Sequence, residues 1–541
     1  MNNRFVSPLQ SLFDLSSFTL AVPPVVPAHA APDTVEVEGG RVKGVHKDGL
    51  AIFKGIPFAA PPTGDLRWQA PRPVTSWEGV LQADHFGPAC PQIVFPDIAS
   101  LQNSVGEQAE DCLYLNVWTP VASRKEKLPV MVWIHGGGFA IGAPSIANYD
   151  GKNIAAKGVV FVSVAYRLGA LGFLAHPELS AENELGVSGN YGLLDQIAGL
   201  QWVQRNIAAF GGDPGNVTVF GESAGAISVS ILCASPLARG LFHRAISQSG
   251  GNFGPVKKQR GSGIQNLKGA ERQGVAFAGR MGATSIAELR KISPERFLQD
   301  TETAQIGGFW PICDGCLIPG DQYKLYKKGK YNDVDVIIGT NADEGALFVE
   351  TITAARYKAF LTKQFGFFAR KAEKLYPATT DTIALQSARN IFRDTAFAWP
   401  AWTWARLQEK TGTANVYLYS FTQRQPERKR GESLPAASHA DDINYVFGHV
   451  QENFNFAYTD EDRQLSAVMM DYWVNFAKTG TPNATGLPEW PKFHGGKKDV
   501  LHLQGPVPSP GPVANIAQLK FMDTCFRWLR IPWLPTTRQP R

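Results

Sequence analysis

The chain of 541 residues contains no apolar run of the about 18 residues that a membrane-spanning helix requires. Its six cysteines are too few to staple a protein of this size, so a hydrophobic core must carry the fold. A formal net charge of +5 is small for the length, and the Lys and Arg residues are scattered. With no basic helix and no basic stripe interleaved with aromatics, nucleic acid is excluded as an expected partner. The charged run Glu427-Arg428-Lys429-Arg430 sits in a polar loop and reads as solvated. Cys313 and Cys316 form a lone Cys-x-x-Cys with no second pair and no clustered His, which is poor material for zinc. Neither a metal nor an organic cofactor is expected. Cys233 and Cys525 read as unpaired or buried. No repeat, low-complexity stretch or Pro/Ser-rich linker divides residues 31–541, which are expected to form a single catalytic domain with large insertions.

The N-terminus points to export. Arg4 precedes a moderately apolar run over 18–26, followed by Ala28-His29-Ala30 and Ala31-Pro32, the pattern of a secretory signal cleaved after Ala30. Asp14, Pro23, Pro24 and Pro27 weaken that apolar run, so a disordered leader over 1–30 is the alternative. Export would make the compartment secreted or periplasmic. In an oxidising compartment Cys90 and Cys112, which flank a short polar stretch, can close a loop worth about 3 kcal/mol.

What is present is an alternation of short β-branched runs with helical stretches, the signature of an α/β sheet with crossover helices. Strands are expected at 130–134, 159–165, 217–220, 334–339 and 416–421, most of them apolar almost continuously, as for strands covered on both faces. Helices are expected at 193–207, with Asp195 in its first turn, and at 466–477. The Lys-, Arg- and Gln-rich region 254–300 reads as a helical insertion.

The sharpest motif is Gly221-Glu222-Ser223-Ala224-Gly225, set between the strand 216–220 and the small-residue helical run 224–232. A chain that turns from strand to helix this tightly strains the serine and needs glycines beside it. It also lifts the hydroxyl to the carboxyl end of the sheet, where α/β sites lie. Upstream, His135-Gly136-Gly137-Gly138-Phe139 follows an apolar strand, and no Lys-Ser/Thr follows its glycines, which argues against a phosphate loop. The backbone N–H groups of Gly137 and Gly138, with that of Ala224, are the expected oxyanion donors. Among ten histidines, His439 lies in a loop beyond a strand end, where a general base must sit to reach the serine. The acid is expected after the strand 334–339, at Asp343 or Glu344, which position alone does not separate. Asp441 and Asp442 lie so close to His439 that capping or solvated roles suit them better.

Taken together, these segments resemble the type-B carboxylesterase and cholinesterase family, of α/β-hydrolase fold, from about residue 35 onward. The resemblance is carried also by Phe53-Lys54-Gly55-Ile56-Pro57-Phe58-Ala59, Glu110-Asp111-Cys112-Leu113-Tyr114-Leu115-Asn116, Gly189-Asn190-Tyr191-Gly192-Leu193-Leu194-Asp195 and Phe210-Gly211-Gly212-Asp213-Pro214. It implies a large, mostly parallel central sheet flanked by helices, and a Ser223-His439-Glu344 triad acting on a small-molecule ester through an acyl-enzyme. It also implies a Cys90–Cys112 disulfide, a buried Ser249 behind the histidine, and internal ion pairs Arg67–Glu110 and Arg167–Asp195. An amidase or lactonase with the same triad is the near alternative; a non-catalytic adhesion module on this fold is the distant one. Two departures stand out. Ala165 replaces the family's usual Asn, and no Trp lies between Cys90 and Cys112, where Phe95 is the only aromatic. A choline-ester specialist, which holds its cation on such a Trp, is therefore disfavoured. The resemblance also puts Trp310 and its neighbours, with Cys313 and Cys316, along the acyl or alcohol pocket.

Overall fold

The structure, a computed structural model, describes residues 34–93, 105–120, 127–257, 264–424, 426, 437–451 and 457–531. The leader, Phe95 and the run Glu427-Arg428-Lys429-Arg430 lie outside the described residues. Among the described residues, no helix is long and apolar enough to cross a membrane.

Eleven strands form the main sheet: β1 (Val45–Lys47), β2 (Leu50–Pro57), β3 (Tyr114–Thr119), β4 (Leu128–Ile134), β5 (Val160–Val164), β6 (Gly212–Glu222), β7 (Arg244–Gln248), β8 (Asp335–Asn341), β9 (Val416–Phe421), β10 (Val500–Leu503) and β11 (Ser509–Gly511). Their spatial order is β11-β10-β9-β8-β7-β6-β4-β5-β3-β2-β1. The strands from β5 across to β10 run parallel, and antiparallel strands extend both edges. From β4 the chain steps to β5 on one side, and β6 then pairs with β4 on the other. The order reverses there, so the carboxyl ends of β4 and β6 flank a crevice of the kind where α/β proteins bind ligands.

Alternation along β4 shows why the sheet is covered on both faces. Val130, Val132 and Ile134 enter one core, while Met131 and Trp133 enter the other. The second core is aromatic: Trp133 packs on Tyr149, Phe220 and Phe447 with ring centroids 4.9–5.2 Å apart. Seven of the helices around the sheet are used below: α1 (Tyr191–Asn206), α2 (Ala224–Ala234), α3 (Leu267–Arg280), α4 (Asp381–Arg393), α5 (Trp399–Thr411), α6 (Asp460–Thr479) and α7 (Ile516–Leu529). Helix α6 illustrates the local control: Thr459 and Asp462 form a reciprocal capping box at its start, and Gly480 ends it with φ 81°. The insertion is helical as expected, with α3 followed by the short helices Ile286–Leu289 and Pro294–Leu298. It also carries a small parallel pair, Gln265–Asn266 with Ile312–Cys313.

Two expectations need correction. Helix α1 begins at Tyr191, so Asp195 lies beyond its first turn and does not serve the helix end. The expected Cys90–Cys112 bridge is not formed: both residues are buried thiols. They are in hydrogen-bond contact, which together with burial pushes the Cys112 thiol up, and the Cys90 sulfur accepts the Leu168 N–H at 3.2 Å.

Both anticipated ion pairs are present. Arg67 donates to both carboxylate oxygens of Glu110. Arg167 does the same to Asp195 at 2.8 and 2.7 Å, and its own N–H adds a third bond to that carboxylate. Asp195 is fully buried, and Arg167 nearly so. Removing one partner strands a buried charge, which costs about 3–5 kcal/mol. Asp195→Ala is therefore expected to lower unfolding stability by about that amount in urea denaturation, with an unchanged m-value.

Candidate active site

Ser223 occupies the turn from β6 into α2, with φ 55° and ψ −119°. A non-glycine residue pays about 1–3 kcal/mol for such a conformation, and close packing enforces it here. A Cβ on Gly221 would stand 2.6 Å from the Ile134 carbonyl oxygen, and one on Gly225 closer still. β4 thus passes so near the turn that only glycine fits on either side of the serine. Ser223 N–H is held by the Gln248 carbonyl at 2.9 Å, and its side chain is half-buried at a site otherwise closed.

Ile134 lies opposite Gly221 in the β4–β6 ladder, which sets the glycine loop beside the serine. A Cβ on Gly136 would meet the Glu222 carboxylate at 2.7 Å and the Ser223 Cβ at 3.2 Å. Gly137 and Gly138 have φ 103° and 60°. Among the described residues, no hydrogen bond takes the N–H of Gly137, Gly138 or Ala224. His135 anchors the loop instead of titrating. Its ring stacks on Tyr166 at 4.4 Å, its Nδ1 bonds Gly136 O at 2.8 Å, and burial pushes its pKa down to about 4.

The histidine arrives from across the sheet. His439 Nδ1 lies 2.6 Å from Glu344 Oε2, and Glu344 Oε1 accepts the Asn341 N–H at 2.7 Å. Glu344 is fully buried and begins a 3-10 turn, Glu344–Leu347, just after β8. The other ring nitrogen, Nε2, faces Glu222 Oε1 at 3.2 Å and makes no hydrogen bond to Ser223. Burial alone would push the His439 pKa down; Glu222, Glu344 and Asp442 outweigh it and hold the imidazole up at about 9. Glu222 is in turn pushed up to about 8 by burial and by Asp442 and Glu344, against the opposing pull of His439. Glu222 and His439 thus compete for protons in one buried cluster.

Asp343, the rival acid, does not touch the histidine. It is buried, and one of its oxygens accepts from Gln386 at 3.3 Å. Asp442 corrects the solvated or capping role expected for it. It is fully buried and accepts from Gln248, Tyr419 and Asn341 at 3.0, 3.0 and 3.3 Å. Asp441 accepts the Ser438 N–H within its own turn. Ser249 is buried with φ 58°, and its hydroxyl has no partner among the described residues, so no hydrogen bond ties it to His439.

Three features escaped the sequence reading. Glu222 was visible only as the variable position of the serine motif. Phe397 stacks on His439 at 4.7 Å and 28°, and Phe348 leans on it at 5.0 Å. Phe397 belongs to a π-helical turn, Asp394–Ala398, between α4 and α5. Nothing in the local pattern announced that turn. Ile306, partly exposed, abuts Gly138, so that a Cβ there would meet its Cγ2 at 2.5 Å. Trp310 packs edge-on against Phe139 at 4.8 Å, next to the glycine loop. Cys313 turns away from it, donating to the Ile318 carbonyl.

Residues 31–509 match the carboxylesterase family. The chain is 38% identical to fumonisin B1 esterase of Sphingopyxis macrogoltabida over 84% of each protein. It is 37% identical to para-nitrobenzyl esterase of Bacillus subtilis over 87% of this chain and 95% of that one. Among solved structures, a PNB esterase superposes with a TM-score of 0.76 at 35% identity, covering 91% of this chain and all of the other. A thermophilic PNB esterase gives 0.78 at the same identity and coverage. The strand-to-helix serine, the glycine loop beside it and the buried Glu344–His439 pair thus sit in a chain that belongs to the carboxylesterase family, and is with them a serine carboxylic ester hydrolase.

Proposed function

We propose that Ser223 attacks the ester carbonyl, His439 takes its proton, and Glu344 holds the imidazole and stabilises the imidazolium. The observation that carries this reading is the 2.6 Å pair between His439 Nδ1 and Glu344, which leaves Nε2 as the nitrogen on offer to the serine. In the resting site Nε2 leans toward Glu222, and a short turn of the ring brings it to Ser223 when substrate enters. Apo catalytic geometry is often loose in this way. The unengaged N–H groups of Gly137, Gly138 and Ala224 receive the oxyanion, each worth about 3 kcal/mol to the transition state. The alcohol leaves with the proton from His439, and water then cleaves the acyl-enzyme by the same steps. Residues 31–541 act as one catalytic domain in this scheme. The apolar rim of Ile306, Leu347 and Phe348 favours uncharged esters, and p-nitrobenzyl esters are suitable first probes given the relatives named above. Export, with the segment 1–30 cleaved as a signal, is the localisation that the N-terminal sequence favours.

Ser223→Ala is expected to lower kcat by about 10³-fold or more and to abolish labelling by a fluorophosphonate. Full ester turnover by that variant would sink the assignment. Glu222 raises the His439 pKa by facing Nε2 with negative charge, so Glu222→Gln removes a group that favours the protonated ring. The acid limb of kcat/KM should then move to lower pH by about one unit, and an unmoved limb would show that Glu222 does not act on the base. Phe397→Leu frees one face of the imidazole. It should cut kcat by about tenfold with little change in KM, as expected for a residue that positions the base without binding substrate.

A further inference from the structure

Away from the ester site, α4 and the start of α7 enclose an open crevice of about 410 Å³. Its size is that of a small-molecule pocket. Its chemistry is unusual for a surface groove in being built from side-chain amides. Asn390 uses its oxygen on Arg393 and Gln386, which leaves its NH2 group unengaged. Asn515, with its amide oriented so that the oxygen accepts from Arg393, adds a further amide to the border. The amide oxygens of Gln386 and Gln518 accept nothing among the described residues, although their NH2 groups are engaged. A free amide donor and two free amide acceptors therefore border one space, with Tyr376 and Ile383 as apolar backing.

Arg393 is the one charged residue of the lining, and its charge is already matched. Its Nε donates to Asp394 at 2.8 Å, one terminal nitrogen to the Ala342 carbonyl and to Asn390, and the other to Asn515. An anion would find no spare cation here. A hydroxyl group, which both donates and accepts, satisfies an alternation of amide NH2 and amide oxygen, and a sugar ring offers several on a scaffold with an apolar face. We propose that this crevice binds an uncharged polyhydroxylated ligand, a sugar or polyol, and that its occupancy is felt at the catalytic acid.

The path to the acid is short. Among the described residues, Gln386 is the one side chain that donates to the buried Asp343 carboxylate, immediately before Glu344, and the second oxygen of Asp343 has no partner. Arg393 holds the carbonyl of Ala342, two residues before Glu344. Tyr376 donates to Asp394 at 2.8 Å, and Asp394 opens the π-helical turn that carries Phe397 onto His439. A ligand that draws on Gln386, Arg393 or Tyr376 pulls on both supports of the triad histidine. This second half of the proposal rests on the esterase reading; the binding half does not.

Ligand-observed saturation-transfer NMR on the full chain, with methyl β-glucopyranoside and sucrose as probes and propionate as the anionic control, tests the site. The sugars should give a saturable signal that is lost in Ile383→Trp, which fills the crevice, and in Gln518→Leu, which removes an acceptor. Propionate should give none. Both variants should hydrolyse p-nitrophenyl butyrate at the wild-type rate without sugar. Sugar should then change kcat/KM of the wild type by about twofold or more and leave the variants unmoved. The released acid is the product to follow, because a hydroxyl compound can also compete with water for the acyl-enzyme. Absence of a wild-type signal, equal signals in wild type and variants, or propionate binding that the variants abolish would overturn the site. Sugar binding with unchanged kcat/KM would overturn the coupling. Because binding is read without turnover, a wild type inactive on esters would count against the esterase reading alone.

Discussion

A single imidazole surrounded by buried carboxylates sets the terms for this site. Glu344, Glu222 and Asp442 all lie within the protein around His439, and each would be costly to ionise alone in a low-dielectric interior. The cost is met differently for each. Glu344 is satisfied by the Asn341 N–H and the ring itself, Asp442 by three side-chain donors, and Glu222 by little except proximity to Nε2. The cluster is stable because the imidazole can carry a proton among these anions. The same proton must leave before the ring can act as a base. Desolvation and catalysis thus pull on one group in opposite directions, and the aromatic rings of Phe397 and Phe348 keep water from relaxing the tension.

The sheet makes that cluster possible by bringing distant segments to one edge. The glycine loop leaves β4, the serine leaves β6, Gln248 ends β7 and the acid follows β8. The β4–β6 register places Ile134 opposite Gly221, and from there the turn has no freedom: backbone fills the space where side chains would be. A strained serine is tolerable because β4, α2 and the β7 carbonyl over-determine it. Strain of this kind is held by packing on every side, and the ladder around it supplies that packing.

Much of this was legible from residue order. The central strands were visible because they are covered on both faces, which forces continuous apolar runs such as Val-Phe-Val-Ser-Val in β5. Strands β3 and β7 were not, because each carries buried polar residues whose partners lie far along the chain. Asn116 on β3 donates to Ser163 and accepts from the Gly55 N–H, while Gln248 on β7 supports Asp442. Motif and order pointed to Ser223 and His439 and left the acid between Asp343 and Glu344, which the resemblance separated; the residues packed around the imidazole were not foreseen. Phe397 reaches it through a π-helical turn that hydrophobic spacing does not encode. Asp442 looked solvated or capping because it lies so close to His439 in sequence, and only the fold reveals that it is fully buried. The thiols Cys90 and Cys112 were placed together correctly, but the bond between them was an inference from resemblance.

The position of Glu222 explains why the resting histidine faces a carboxylate and not the serine. Glu222 and Ser223 are consecutive, so the turn that fixes one fixes the other, and it sets Glu222 Oε1 3.2 Å from His439 Nε2. The Gly136 backbone packs against both, which prevents the carboxylate from swinging away. An empty site therefore favours the ion pair, since an anion attracts the imidazolium more strongly than a neutral hydroxyl does. Only the neutral ring can take a proton from Ser223, so the proton shared with Glu222 must leave first; the negative charge that then develops on the glycine loop stabilises the imidazolium formed at the serine. On the proposed mechanism Glu222 sets the resting state of the base, and the imidazole turns from it toward Ser223 before the oxyanion forms.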